Sequence, residues 1–439
     1  MPAAPLHPQV ERLLDLVSAR VGVIKSLTRV ARGADEPSPP ILYHALLANY
    51  DFKKAEASAR STAGKGLSDS EAIGGAIGEA IERYCAHHPA IGQITRVRRG
   101  ELAGPSISPD DLVLFAASQH ARENFAYTRW TEDTVTGWLP ARELPGDREV
   151  DVPACFVYLN YLGPDGEDAF LAPTSNGLAA GPSVEQATLS GLCELAERDG
   201  FLACWMNRLP APEVEFDGGI ASEIRKHYQR FGIETRVFNL STDLPMHVMM
   251  AVSLGDGERE PAALVGLGCH LDPRVAVNKA LFEICQIRPG ERQRFVDEGA
   301  GKNLRQYSDV KTLHDHSAFL MRSERRSELA FLLDNGRRQS LDALPNRSSG
   351  EAGRDLETAV NGLVAAGCRV AYVDLTTADV RPYGIRVVRT LATGLQPMHF
   401  GHGEERLGGP RLFDLPRALG YATETRGERD LNPCPHPLA

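Results

Sequence analysis

The sequence predicts a mixed helix-and-strand (α+β) fold made by internal duplication. Two observations carry this. Residues Gly66–Arg83, "GLSDSEAIGGAIGEAIER", and Gly181–Arg198, "GPSVEQATLSGLCELAER", align without a gap, and Glu-x-x-Glu-Arg falls on Glu-x-x-Glu-Arg. Further on, "GIETRVFNLSTD" (Gly232–Asp243) and "GCRVAYVDLTTAD" (Gly367–Asp379) each follow an amphipathic run, "ASEIRKHYQRF" or "LETAVNGLVAA". Each then leads into a second β-rich run, "MHVMMAVSL" or "YGIRVVRTL". Helix–strand–strand units occurring twice fit a duplicated layered architecture. With 439 residues, 42% of them hydrophobic and 24% charged, the chain has material for a sizeable core.

Taken in order, the first strong element is the helix after Gly66. Ser68 with Glu71 makes a capping box, in which the serine oxygen takes a first-turn N–H and the glutamate reaches back. Ile73, Ala76, Ile77, Ala80, Ile81 and Tyr84 form one apolar stripe, with Glu79, Glu82 and Arg83 opposite. The helix after Gly181 repeats the design. Ser183 and Gln186 form the cap, Leu192, Leu195 and Ala196 the stripe, and Glu194, Glu197 and Arg198 the polar side. One Glu–Arg pair at i, i+4 reads as a surface ion pair worth about 0.3–0.5 kcal/mol. Two copies behind the same loop and cap ask for more. If the two faces met across a cleft, four carboxylates would raise one another's pKa unless a cation sat among them. Magnesium takes carboxylate and phosphate oxygens, and arginine suits phosphate. A third segment, "DPRVAVNKALFEICQ" (Asp272–Gln286), opens with an Asp cap and Pro at the first helical position, and carries Glu283-x-x-Gln286.

The rest is plainer. "MRSERRSELAFLL" reads as a surface helix and "PNRSSGEAGR" (Pro345–Arg354) as a polar loop. His87-His88 and His314-x-His316 read as surface residues; His399-Phe400-Gly401-His402 has a metal-compatible spacing, outweighed by an ordinary reading. The eight cysteines include no Cys-x-x-Cys pair, which argues against a zinc site and for reduced thiols in a cytoplasmic setting. Net charge is −10 and no basic run appears, which argues against nucleic-acid binding. There is no signal peptide, and no window reaches the ~18 apolar residues of a membrane helix. "AGKGLS" places Lys65 between glycines but lacks the Walker spacing, and "SNGLAAG" (Ser175–Gly181) is not a dinucleotide fingerprint. Both loops lead into helix N-termini, which suit phosphate oxygens. No nucleophilic triad emerges. The alternating Pro433, Pro435 and Pro437 of "NPCPHPLA" read by themselves as a polyproline or disordered tail. Removing Pro433–Ala439 is expected to delete no core residue.

Taken together, "GEAIER", "SNGLAAG…ELAERD", "LDPRVAVNKALFEICQ" and "GLQPMHFG…RLGGPRL" resemble the YcaO family over roughly Gly64 to Leu412. The resemblance implies a YcaO-type fold with a non-Walker ATP site. It divides the chain into an N-terminal segment (1–63), a catalytic domain (64–415) and a tail (416–439). By match, Glu79, Glu82, Glu194, Glu197 and Glu283 take the Mg2+, while Lys65, Ser68, Arg83, Ser183, Gln186, Arg198 and Gln286 take ATP. The Pro-x-Pro-x-Pro end is similar to that of azoline-forming cyclodehydratases, which implies that Pro433, Pro435 and Pro437 line the site. The implied reaction converts Cys, Ser or Thr of a ribosomally made precursor peptide to thiazolines or oxazolines. A side chain adds to the preceding amide, ATP phosphorylates the amide oxygen, and phosphate leaves.

The implied partners are the precursor peptide, a separate leader-binding protein of E1-like (ThiF-like) type, a flavin dehydrogenase in the same complex, and a second copy in a homodimer. The sixty or so residues before Gly64, interrupted by "GADEPSPP", are not expected to hold a complete winged-helix or E1-like domain. Backbone thioamidation or amidine formation, and a non-catalytic ATP-binding scaffold, stay open as alternatives.

Overall fold

A computed structural model describes residues 5–48 and 61–438. Helix α1 (Pro8–Leu13) precedes β1 (Ile24–Arg29), β2 (Ile41–Leu47) and β3 (Ser61–Gly66), which turns into α2 (Asp69–Ala86). β4 (Thr95–Val97), α3 (Ala117–His120), β5 (Thr136–Leu144) and β6 (Arg148–Pro153) lead to β7 (Leu178–Gly181), which turns into α4 (Val184–Asn207). β8 (Glu213–Glu215), α5 (Gly219–Gln229), β9 (Glu234–Asn239) and β10 (His247–Leu254) lead to β11 (Leu264–His270), which turns into α6 (Pro273–Gln293). Then come α7 (Leu313–Phe319), α8 (Ala330–Leu333), β12 (Arg338–Ser340), α9 (Ala352–Ala365), β13 (Val370–Asp374), β14 (Arg386–Ala392) and α10 (Arg411–Ala418). Three sheets result: β1-β2-β3; β4-β5-β13-β14-β7 with β6 on β5; and β11-β10-β9-β8-β12.

The duplication is a triplication. β1-β2-β3, β13-β14-β7 and β9-β10-β11 are each antiparallel, and the last strand of each leads into a long capped helix. In the second unit the hairpin β13-β14 comes far after β7 in the chain, which hides the third copy from a linear reading. Each helix packs on its own strand and on the strand of another unit: α2 on β3 and β7, α4 on β7 and β11, α6 on β11 and β3. The ring closes. Close approach is secured by glycine. A Cβ on Gly64 would collide with the backbone of Ala72 and Ala76, and one on Gly268 with that of Ala276 and Ala280.

Alternation along β10 explains its apolar run. Val248, Met250 and Val252 join the core beneath α4, while Met249 and Ala251 join the core against α5 and α6. The boundary expected at residue 64 separates no cores, since β1 and β2 pair with β3 across it and Leu13, Leu16 and Ile24 share the core of α2. "MRSERRSELAFLL" is no continuous surface helix either. Ser323–Leu329 is a 3-10 turn before α8, with Leu329 and Leu332 buried. All eight cysteines are unpaired and buried.

The tail departs most from expectation. Pro433 is exposed, but Cys434, Pro435, His436, Pro437 and Leu438 are buried; Ala439 lies outside the described residues. The Trp205 indole N–H donates to the Cys434 carbonyl at 2.8 Å, and Asn432 donates to the Trp205 and Met206 carbonyls at 3.1 and 2.6 Å. Three histidines finish the clasp, and one of them, His316, was expected to be an ordinary surface residue. The Gly401 N–H donates to Nε2 of His316 at 2.9 Å, so Nδ1 carries the proton and donates to the His436 carbonyl at 2.6 Å. His436 Nε2 donates to the His399 carbonyl at 2.7 Å. Burial holds His316 near a pKa of about 4 and His399 at about 3, so both are neutral at physiological pH.

Removing Pro433–Ala439 therefore strips a packed segment from the main core. Unfolding free energy is expected to fall by about 3 kcal/mol or more from lost apolar burial and hydrogen bonds. Scanning calorimetry would show a Tm lowered by several degrees; an unchanged Tm would contradict this packing.

Candidate functional site

The three long helices share one register. Glu79, Glu194 and Glu283 stand equally far beyond their N-caps Ser68, Ser183 and Asp272, and Glu82, Glu197 and Gln286 follow at the next turn. Because the helices close a ring, equal register brings these side chains toward one centre. Glu79 pairs with Arg83 at 2.6 Å and accepts the Ala63 N–H of β3 at 3.1 Å. Glu82 reaches into the next unit and accepts the Ala180 N–H of β7 at 2.6 Å. Glu283 of α6 pairs with Lys65 of β3. Arg198 stands 3.7 Å from Glu194 and 3.8 Å from Glu197, too loose to satisfy either.

A cleft of about 240 Å³ opens here. Lys65, Glu197, Arg198, Lys279 and Glu283 supply its charged lining, and Leu267, Gly268 and Leu438 the rest. The tail thus ends at the cleft wall. Burial raises the Glu82 carboxyl well above the usual range, and the charges of Glu79 and Glu194 add to it against the Ala180 N–H. Burial lifts Glu194 to about 7; Arg198 opposes this and Glu197 adds to it. Burial lowers the Lys65 ammonium to about 8, opposed by Glu197 and Glu79. Carboxylates held this close with so little compensation make a setting for a cation.

The residues present fit magnesium and a polyphosphate. No group of three or more His, Cys, Asp or Glu among the described residues is arranged to hold a metal by itself. Magnesium needs no such cage, because it binds through one or two carboxylates plus phosphate and water oxygens. Lys65, Lys279 and Arg198 remain for the phosphates.

Not every expected residue comes to the cleft. Ser68 and Ser183 accept the Glu71 and Gln186 N–H groups at 3.2 Å each and so cap α2 and α4. Gln186 lies in that first turn, and Gln286 sits half-buried a turn beyond Glu283; neither lines the cleft. Arg83 holds Glu79 and the Ser61 carbonyl at 3.2 Å. Pro435 and Pro437 are buried on the way to Leu438, and Pro433 is exposed. Two lining residues were missed. Lys279 stands four before Glu283 on one helix face, a spacing the sequence displays. Leu438 carried no signal, because only the tail's folding brings it there.

Comparison with known proteins agrees with this geometry. The family model described as YcaO cyclodehydratase, ATP- and Mg2+-binding, matches residues 63–396. An uncharacterized protein of Methanothermobacter thermautotrophicus is 30% identical over 357 residues, 79% of this chain and 84% of the relative. A heterocyclase solved in complex with substrate and cofactor superposes with a TM-score of 0.83 at 27% identity, covering 98% of this chain and 57% of that one. The heterocyclase TruD gives a TM-score of 0.68 at 27% identity, covering 83% of this chain and 50% of that one. This chain therefore spans little more than half the length of those heterocyclases. YcaO from Methanopyrus kandleri, solved with AMPPCP and Mg2+, shares the fold with a TM-score of 0.62 at 22% identity, covering 85% of this chain and 86% of that one.

The raised Glu194 carboxyl sets a pH dependence. The folded protein binds this proton more tightly than the unfolded chain does. The stabilisation is thus fully present below the unfolded carboxyl pKa and is lost as pH rises through about 7. Without metal and nucleotide, the Tm of Glu194→Gln is expected to gain on wild type between pH 5 and pH 8. Parallel melting curves across that window would show instead that Glu194 ionises normally.

Proposed function

We propose, from the premise that this chain belongs to the YcaO family, that it is an ATP-dependent azoline-forming cyclodehydratase. Its substrate is a ribosomally made precursor peptide whose Cys, Ser or Thr residues become thiazolines or oxazolines. The observation that carries this is the cleft where Glu197, Arg198, Lys279 and Glu283 of two equally registered helices meet Lys65 of β3, with the charge of Glu79 of the third helix acting on Lys65 and Leu438 of the tail on the cleft wall. When bound, ATP with Mg2+ supplies the phosphoryl group that turns the amide oxygen into a leaving group.

The chain's own residues do the rest. Glu79, Glu82, Glu194, Glu197 and Glu283 would share the Mg2+, and the ion would offset their mutual repulsion. Lys65, Arg83, Arg198 and Gln286 would hold ATP, with Ser68, Ser183 and Gln186 acting from the helix starts. Pro433, Pro435 and Pro437 bring the end of the chain to the site and help exclude water from it. No enzyme nucleophile is required, and burial keeps the thiols of Cys155 and Cys204 protonated.

Leader recognition is assigned to a separate E1-like protein, with a flavin dehydrogenase acting on the product and a second copy of this chain completing a homodimer. We place the assembly in the cytoplasm. No helix among the described residues is long and apolar enough to cross a membrane.

Glu197→Ala is expected to lower peptide-dependent ADP release by about a hundredfold or more. Its circular dichroism should match wild type, because the carboxylate makes only the loose 3.8 Å contact with Arg198. Mass spectrometry of Cys-containing precursor peptides separates the family chemistries: loss of one water together with loss of the alkylatable Cys thiol supports azoline formation, loss of water with the thiol retained would reassign the chain to amidine formation, and exchange of oxygen for sulfur would reassign it to thioamidation. Normal turnover in the variant would return the glutamates to surface ion pairs.

A further inference from the structure

A second chamber lies behind Arg198. The guanidinium that borders the nucleotide cleft also borders a second pocket of about 50 Å³. Its polar lining includes Arg389, Arg406 and Asn176, and its apolar lining Phe156, Leu171 and Leu195. None of its lining residues is acidic.

The charge there is met only at a distance, by Glu194 on the Arg389 side and Glu404 on the Arg406 side. Arg389 is 2% exposed and spends its N–H groups on the carbonyls of Phe156, Asn176 and Thr174 at 2.6–2.9 Å. Arg406 is 4% exposed and donates to the Ala172 carbonyl at 3.3 Å. Among the described residues neither forms a salt bridge, and the nearby Glu404 accepts the Tyr127 hydroxyl instead. Two buried guanidiniums with no carboxylate in salt-bridge contact are costly to keep unless an anion joins them. The Asn176 side-chain amide N–H group is likewise buried without a partner, and a buried orphan donor calls for an explanation. Donors on one side and apolar carbons on the other describe a receptor for a small oxyanion with hydrocarbon attached.

We propose that this chamber receives the reacting amide of the peptide, with Arg406 and Asn176 as donors to the oxygen that becomes anionic and Phe156, Leu171 and Leu195 around the adjoining side chains. The inference rests on the cyclodehydratase reading. In the step concerned, the Cys, Ser or Thr heteroatom bonds to the carbonyl carbon. The C=O π pair moves onto oxygen, and the heteroatom's proton goes to water. Donors already in place where that charge develops lower the barrier without reorganising. Arg198, shared by both chambers, then stands between the oxyanion and the nucleotide cleft.

A phosphinate dipeptide with alanine side chains imitates this tetrahedral anion, and orthophosphate imitates the departing product. Isothermal titration should show the phosphinate binding wild type, and Arg406→Met weakening it about tenfold or more. Arg406→Lys, which keeps the charge, should lose less and carries the test if Arg406→Met does not fold. ATP–Mg2+ affinity should stay within about twofold in both variants. Equal phosphinate binding by wild type and Arg406→Met would overturn the proposal. So would a parallel loss of ATP affinity, which would put Arg406 in the nucleotide site. Orthophosphate binding as tightly as the phosphinate would also overturn it, by giving the chamber to free phosphate. Wild-type protein that binds the phosphinate through Arg406 yet dehydrates no peptide would retain the oxyanion chamber and refute the azoline reading.

Discussion

Everything in this structure depends on each helix reaching past its own sheet to the strand of a neighbouring unit. The link is polar as well as apolar. Glu82 of α2 takes the Ala180 N–H of β7, and Glu283 of α6 pairs with Lys65 of β3. A glutamate that we propose for ligand binding is thus also a strut between units. Side chains on three separate helices can then be held to the tolerance that positioning requires. The glycine-tight contacts at Gly64 and Gly268 remove the slack that a larger residue would introduce.

That arrangement leaves an electrostatic debt at its centre. Burial and like charge raise Glu82 and Glu194 together, while burial lowers Lys65. A site so poised is less stable empty than filled, so cation and nucleotide binding couple to folding by mass action. The same logic runs through the second chamber with the sign reversed, where Arg389 and Arg406 lie buried with no salt bridge among the described residues. Arg198 separates the two and belongs to both.

The tail joins stability to the site. Trp205 and His316 hold its backbone carbonyls, the His399 carbonyl holds its His436 ring, and its last described residue lines the cleft. The histidine clasp works only with neutral rings, since protonating His316 would set a ring N–H against the Gly401 N–H. Proline at alternate positions lowers the conformational entropy lost in ordering such a segment. The packing adds apolar burial, so the tail is an element of the core that ends at the site.

The sequence alone determined what is local. Caps, apolar stripes and the spacing of Glu79, Glu82, Glu194 and Glu197 follow from helix periodicity, and periodicity is written in consecutive residues. Two of the three units, the acidic and cationic character of the site and the absence of a Walker loop were legible for that reason. The tertiary structure decided what is distant. It paired β7 with strands that come much later in the chain and so completed the second unit. It turned Arg389 and Arg406 inward, and it buried His316, His399 and the tail. A histidine or an alternating proline looks the same in a linear reading whether it meets solvent or a carbonyl more than a hundred residues away, as His316 meets that of His436. Burial is a property of the closed ring, and no window of consecutive residues contains it.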